Sequence, residues 1–261
     1  MRCPACDSSE IRELPEPFGP RDCPAPYARC LACASLFAVG APAAHALGAH
    51  DWTRVPRPAP HSRQAWRIAR MLRGVGDVVL VGRADAALMA ALTKRGLRVS
   101  ACDPNPDIAL PLSKSGLSAF VGTPGAGALA GEFDLAIVEG LIEYSAHPVE
   151  ELVAIRRALR PGGRARIEAP QADGLALQQH GADFFLFAPP AARLLPSFDG
   201  LAKLCARAGF DFVTRSDAPP RSGSWHFRTQ TYSRSWVRVL ERAIDPLYRD
   251  RSVLVVTASV R

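Results

Sequence analysis

The sequence predicts an α/β protein: a doubly wound parallel sheet of about seven strands, preceded by a small cysteine-bearing module. Three observations predict it. From about His61, short apolar runs alternate with amphipathic stretches, the pattern of β-α units around a parallel sheet. Glycine and proline stand where those stretches should stop and start, at Gly82, Gly96, Pro148, Gly162-Gly163 and Gly209, as helix ends and turns require. The first 40 residues are rich in Cys and Pro, show little helical periodicity and hold two Cys-x-x-Cys pairs.

The elements follow in order. Residues 63–73 place Trp66, Ile68, Ala69 and Leu72 near one helical face. Residues 77–82 (DVVLVG) are a buried strand ending at glycine, and 84–95 a helix stopped by Gly96. Residues 97–102 form the second strand, ending at Asp103, after which Pro104 and Pro106 interrupt the chain before a short helix near 107–115. Residues 117–121 and 133–138 are the third and fourth strands. Pro148 opens a helix to about Leu159, a position proline tolerates well. Gly162-Gly163 turns the chain into a fifth strand over 164–169, a helix runs over 199–208, and strands follow over 210–215 and 252–260. Between the last two strands lies a long insertion with a helical pattern at 234–244. Residues 41–60 carry many Ala and Pro and read as a linker.

Composition narrows the function classes. The chain of 261 residues is 48% apolar and 22% charged, a globular balance rather than a disordered one. There is no apolar run of about 18 residues, which predicts no membrane-spanning helix. The start, MRCPACDSSE, lacks a basic stretch followed by an apolar one, so a cytoplasmic address is expected. In that compartment the seven cysteines suit metal or free-thiol roles better than disulfides. The net charge is +7, and residues 221–261 hold eight Arg and three acids, 8 − 3 = +5. That basic region, or the cysteine-bearing N-terminal module, is a candidate surface for a protein partner. As a nucleic-acid surface it is the weaker case, because aromatics do not interleave with a Lys/Arg run.

Cys3-Pro-Ala-Cys6 and Cys30-Leu-Ala-Cys33 are separated by 23 residues. Each knuckle presents two sulfurs from one tight turn, and two knuckles complete the four-thiolate tetrahedron that zinc prefers. A module this short, with few apolar side chains, needs the metal for folding energy. The expectation is a structural zinc ribbon over 1–40 held by Cys3, Cys6, Cys30 and Cys33. A closed site of this kind has no open position for metal chemistry. Cys23 lies outside the pairs, and Cys102 and Cys205 fall in predicted core elements.

In a doubly wound sheet, ligands bind at the carboxyl ends of the strands where strand order reverses. The loop after the first strand reads Val81-Gly82-Arg83-Ala84-Asp85-Ala86, with alanines where a phosphate-type loop would carry further glycines. Asp103 stands 21 residues beyond Gly82, at the end of the second strand. A carboxylate there can accept both hydroxyls of an adenosine ribose. The alternative is that Asp103 caps the short helix that follows.

These residues resemble class I S-adenosylmethionine-dependent methyltransferases. The resemblance is carried by FDLAIVEGLIEYSAHPVEELVAIRRALRPGGRARIEAP (133–170) and FDGLAKLCARAGFDFV (198–213), and it covers about residues 1–40 and 63–215. An N-terminal ribbon ahead of such a domain resembles a bacterial subgroup of small-molecule and sugar methyltransferases, the match extending to Cys33-Ala34-Ser35-Leu36-Phe37. The resemblance implies a Rossmann-like seven-stranded fold over 61–261. It implies S-adenosylmethionine as cofactor, and Gly82, Ala84, Asp103, Pro104, Glu139 and Gly140 as its binding residues. The departures are Leu80 in place of an acid, the two alanines, and Gly122-Thr123-Pro124 where an acid for the adenine is expected.

Methyl transfer from a sulfonium rests largely on positioning, and a base is needed only where the acceptor must lose a proton. Tyr144 and His147, just after the fourth strand, are the candidates to face a small-molecule acceptor, His147 as base. Both also have plain structural readings, as packing and surface residues, and Glu143 reads either as a helix cap or as a cofactor contact. The acceptor pocket is expected from 171–198, with His180, Phe184, Phe185 and Phe187, and from 217–250, with Trp225, His226, Tyr232 and Trp236. The alternative to an enzyme is a methyltransferase-like scaffold or regulatory protein that has lost its cofactor.

Overall fold

The computed structural model describes residues 1–15, 26–40, 61–82, 84–129, 131–173, 192–215 and 253–260. The predicted linker 41–60, the helix at 234–244, Cys23 and the aromatic stretches expected to line the acceptor pocket lie outside the described residues.

A seven-stranded sheet forms the centre. Its strands are β4 (Asp77–Val81), β5 (Arg98–Asp103), β6 (Ser118–Val121), β7 (Phe133–Glu139), β8 (Leu159–Pro170), β10 (Phe212–Arg215) and β11 (Val253–Ser259). The spatial order is β10-β11-β8-β7-β4-β5-β6, with β11 antiparallel to both neighbours and β5-β6, β4-β5, β4-β7 and β7-β8 parallel. Strand order therefore reverses at β4: the chain steps outward through β5 and β6, then returns to the other side of β4 with β7 and β8. The predicted strands are all present. The fifth is longer than expected, running from Leu159 directly after its helix, with an irregular register opposite Phe133–Leu135.

Helices cover both faces, as the near-continuous apolar β4 sequence demands. On one face, Val78, Leu80, Leu135 and Ile137 pack against α1 (His61–Met71), α2 (Ala86–Thr93) and α3 (Pro106–Lys114) through Ile68, Leu88, Met89, Leu92 and Leu112. On the other, Val79, Val81, Val138, Ile167 and Val256 meet α4 (Pro148–Ala158) and α5 (Phe198–Arg207) through Leu152, Ile155, Leu201 and Leu204. Each fully buried side chain of this size contributes about 1.5–3 kcal/mol.

One helical assignment is corrected. On α1 the buried positions are Ala65, Ile68 and Ala69, whereas Trp66 is 53% exposed. The spacing i, i+3, i+4 selects Ala65 over Trp66, which lies about 100° round the helix. Its indole instead receives the Arg70 guanidinium, 5.3 Å from the ring centre.

The cysteine module is three short strands, β1 (Ile11–Glu13), β2 (Tyr27–Cys30) and β3 (Leu36–Ala38). A fourth strand, β9 (Leu194–Leu195), joins this sheet by pairing antiparallel with β3. Cys3, Ala5, Ala28, Cys33 and Phe37 are buried in the same apolar cluster as Leu201, Leu204 and Cys205 of α5. A module too small to bury a core of its own completes one with the larger domain.

Candidate functional site

The register of the parallel strands defines the site. Val81 pairs with Cys102 on one side and Val138 on the other, so the next residue, Gly82, stands level with Asp103 and Glu139. Glu139 in turn pairs with Glu168 on β8. Asp103, Glu139 and Glu168 thus occupy one row at the carboxyl edge of the sheet, with Gly82 between the first two. All three are buried, at 1%, 4% and 2% exposure. The row crosses the point where strand order reverses, where ligands of such sheets bind. Glu168, whose Oε1 lies 2.5 Å from Arg166 Nη1, was not legible as part of the site. Its membership follows from pairing register alone.

Asp103 ties two loops together. Its Oδ2 accepts from the Ala84 N–H at 2.9 Å and its Oδ1 from the Asn105 N–H at 2.8 Å. The cap of α3 is Asn105, whose side chain accepts from the Asp107 N–H at 2.9 Å. The capping alternative for Asp103 is thereby replaced by a bridging role. Pro104 is half-buried between Asp103 and the Asn105 cap. Asp85, unremarked in the sequence, caps α2 by accepting from Ala87 and Leu88 N–H.

Gly82 is required by backbone geometry. Its φ is +87°, and a Cβ there would lie 2.5 Å from the Glu139 carbonyl oxygen and 3.0 Å from Leu141 Cβ. The loops after β4 and β7 cross at van der Waals contact, with Gly140 also at positive φ, +68°. Ala84 is buried with Leu88 and Met89.

Beyond β7, Glu143 and Tyr144 are buried, and the Glu143 carbonyl accepts from Arg193 and Leu194 N–H. His147 occupies the N-cap position of α4 without a side-chain cap bond. Its side chain is 69% exposed and lies 3.5 Å from Glu150. Thr123, where an adenine acid was expected, begins a single π turn, Pro124–Ala128, and the buried Glu151 of α4 accepts from the Gly125 N–H at 2.7 Å. Burial, with the charges of Glu151 and Asp103, pushes the nearby Cys102 thiol up to about 12, which keeps it protonated and inert.

Cys3, Cys6, Cys30 and Cys33 converge, all four sulfurs lying within 4.8 Å of one another. Cys3 and Cys33 Sγ are 3.7 Å apart, Cys6 and Cys30 Sγ 3.5 Å. A thiolate tetrahedron with zinc–sulfur bonds of about 2.3 Å has edges of about 3.8 Å, so the cluster fits a zinc ion. The hydrogen bond with Cys3, then those with Ser35, draw the Cys33 thiol well below its ordinary range, while the same pairing pushes Cys3 up.

No protein-family model matches the chain, and no curated protein matches it in sequence. Solved structures do share its fold. A methyltransferase from Archaeoglobus fulgidus that depends on S-adenosylmethionine is 15% identical, with a TM-score of 0.51 over 76% of this chain and 94% of that one. The 1,6-didemethyltoxoflavin-N1-methyltransferase of Burkholderia thailandensis was solved with 1,6-didemethyltoxoflavin and S-adenosylhomocysteine bound. It is 21% identical, with a TM-score of 0.50 over 87% and 95%. A further S-adenosylmethionine-dependent methyltransferase, from Thermotoga maritima, is 16% identical with a TM-score of 0.50 over 80% and 93%. The chain therefore has the seven-stranded fold of S-adenosylmethionine-dependent methyltransferases. Among the described residues, no helix is long and apolar enough to cross a membrane.

Proposed function

We propose that this protein transfers a methyl group from S-adenosylmethionine to a small-molecule acceptor, a sugar or natural-product intermediate, and carries a structural zinc in its cysteine module. The observation that carries the reading is the buried row Asp103–Gly82–Glu139 at the strand-order reversal. Carboxylates there suit a ligand with vicinal hydroxyls and positive charge, and S-adenosylmethionine has ribose hydroxyls, an ammonium and a sulfonium. When bound, the cofactor would supply the methyl group on a good leaving group. Asp103 would accept the ribose hydroxyls, Gly82, Ala84 and Pro104 would bound the nucleoside, and Glu139 and Gly140 would form the opposite lip. Tyr144, buried just beyond, would separate cofactor from acceptor. The exposed His147 is suited to a base role only toward an acceptor lying at the start of α4.

The scaffold reading draws on Ala84, Ala86 and Gly122-Thr123-Pro124, which depart from the residues the cofactor would favour. Calorimetric titration of the zinc-loaded protein with S-adenosylmethionine and S-adenosylhomocysteine separates the two readings. Micromolar binding, weakened at least roughly tenfold by Asp103→Ala for the loss of charge-assisted hydrogen bonds, supports the enzyme. No heat at millimolar ligand from folded protein overturns it in favour of the scaffold. Binding that Asp103→Ala leaves unchanged overturns the ribose assignment.

A further inference from the structure

The segment from Ala192 to Ser197 touches the cysteine module on one side and the candidate site on the other. Toward the module, the Tyr27 hydroxyl donates to the Ala192 carbonyl, and the Ala38 N–H donates to the Arg193 carbonyl at 3.0 Å. Leu194 and Leu195 pair with Phe37 and Leu36. Ser197 closes the contact: its N–H donates to Ser35 Oγ at 3.1 Å, and its hydroxyl donates to the carbonyl of Cys33. One residue on the module, Cys33, therefore offers its sulfur to the metal cluster and its carbonyl to this segment. The packing is tight enough that a Cβ at Gly200 would lie 2.0 Å from Ser35 Oγ.

Toward the site, Arg193 and Leu194 N–H both donate to the Glu143 carbonyl, at 2.6 and 3.1 Å. The Pro196 carbonyl accepts from the Ala172 N–H at 3.0 Å. Glu143 and Ala172 lie in the loops that leave β7 and β8, each four residues beyond a carboxylate of the buried row, Glu139 and Glu168. A continuous path of backbone and serine hydrogen bonds runs from the cysteine knuckle to the rim of the site.

We propose that residues 192–197 are a strap through which metal occupancy of the cysteine cluster fixes the loop after β7, with Ser197 as the positioning residue. Metal–thiolate bonds supply much of the folding energy of so small a module. Without them the knuckle 30–35 loses its set geometry, and with it the two acceptors that Ser197 uses. The Glu143 loop then loses its anchor, and ligand affinity at the rim falls with metal occupancy, as linkage between two sites requires. The identity of that ligand rests on the methyl-transfer reading; the strap does not.

The test uses the full chain, zinc-loaded and chelator-stripped, together with Ser197→Ala and Ser197→Thr, with zinc content measured in each. Hydrogen exchange is followed over 139–146, 192–197 and α5, and S-adenosylhomocysteine affinity by calorimetry. Stripping, and Ser197→Ala with its zinc still bound, are expected to speed exchange over 141–145 and weaken binding, each roughly tenfold. Ser197→Thr, which retains the hydroxyl, restores both. Ser197 also caps α5 through the Gly200 N–H at 2.9 Å, and a cap alone would speed exchange in α5 without touching 141–145. Unchanged exchange over 141–145 in zinc-loaded Ser197→Ala overturns the strap, and this arm decides the matter even if stripping unfolds the chain. If the exchange changes appear but zinc-loaded wild type binds no S-adenosylhomocysteine, the strap stands and the methyl-transfer reading falls.

Discussion

Replacing Gly82 by alanine tests the geometry on which the site depends. Two separate costs apply. The backbone at φ +87° penalises any residue with a Cβ by about 1–2 kcal/mol. The new Cβ would also sit 2.5 Å from the Glu139 carbonyl oxygen and 3.0 Å from Leu141 Cβ. Backbone cannot swing away as a long side chain can, so this overpacking adds about 1–3 kcal/mol. The sum, about 2–5 kcal/mol, corresponds to a melting temperature lowered by roughly 5–15 °C in a chain of this size. Gly116 isolates the first cost, because its φ is +79° yet nothing lies within 4 Å of its Cβ position. Urea unfolding of Gly82→Ala and Gly116→Ala side by side should therefore give a difference of about 1–3 kcal/mol, the steric share alone. Ligand affinity should fall in the first variant only, since relief of the clash moves Glu139. Equal destabilisation of the two variants would refute the crossing of the β4 and β7 loops.

Asp77 gives a pH test. Hydrogen bonds first from Arg98, then from Arg160, hold its carboxyl below the ordinary value of 3.8. A group depressed in the folded state stabilises above its unfolded value and loses that contribution as pH falls through the folded one. The stability gap between wild type and Asp77→Asn should be constant from neutral pH down to about 5 and shrink below about 4, measured by urea unfolding across pH. His147→Ala, at an exposed position, should change stability by less than about 0.5 kcal/mol. Retained turnover in that variant assigns His147 to the surface, and a loss beyond roughly 100-fold, the scale of a missing general base, assigns it to the acceptor.

Much of the sheet was legible because it is local. Apolar runs such as DVVLV and FDLAIV, punctuated by glycine, determine their own strands. The sulfur cluster was legible because its two knuckles are local turns whose spacing suits one ion. The row of carboxylates was only half legible. Asp103 and Glu139 end their strands visibly, but Glu168 stands two residues before the end of β8 and joins them only through cross-strand register. The strap had no signal of its own. Leu194 and Leu195 are two apolar residues before a proline, and their pairing with β3 spans over 150 positions of sequence. Ser197 did carry a local signal, a serine opening the α5 pattern, yet its hydroxyl serves the distant Cys33 carbonyl as well as the cap. Long-range partners of this kind are set by packing, which no window of the sequence contains.

Ala84 decides how the departures from a glycine-rich loop are to be understood. If the alanine is an erosion, its methyl should fill space a nucleoside needs, and glycine should restore binding. The surroundings argue otherwise. Ala84 is buried with Leu88 and Met89 in the helix-side core, and its N–H is committed to Asp103. The methyl is packed on the protein side of the loop. Ala84→Gly should accordingly lower stability by about 1–2 kcal/mol, through greater freedom of the unfolded chain and the loss of a buried methyl, and leave S-adenosylhomocysteine affinity within twofold. A gain of roughly tenfold or more, about 1.4 kcal/mol of binding energy, would mean that the methyl obstructs the site. The methyltransferase-like scaffold would then be the better account of this chain.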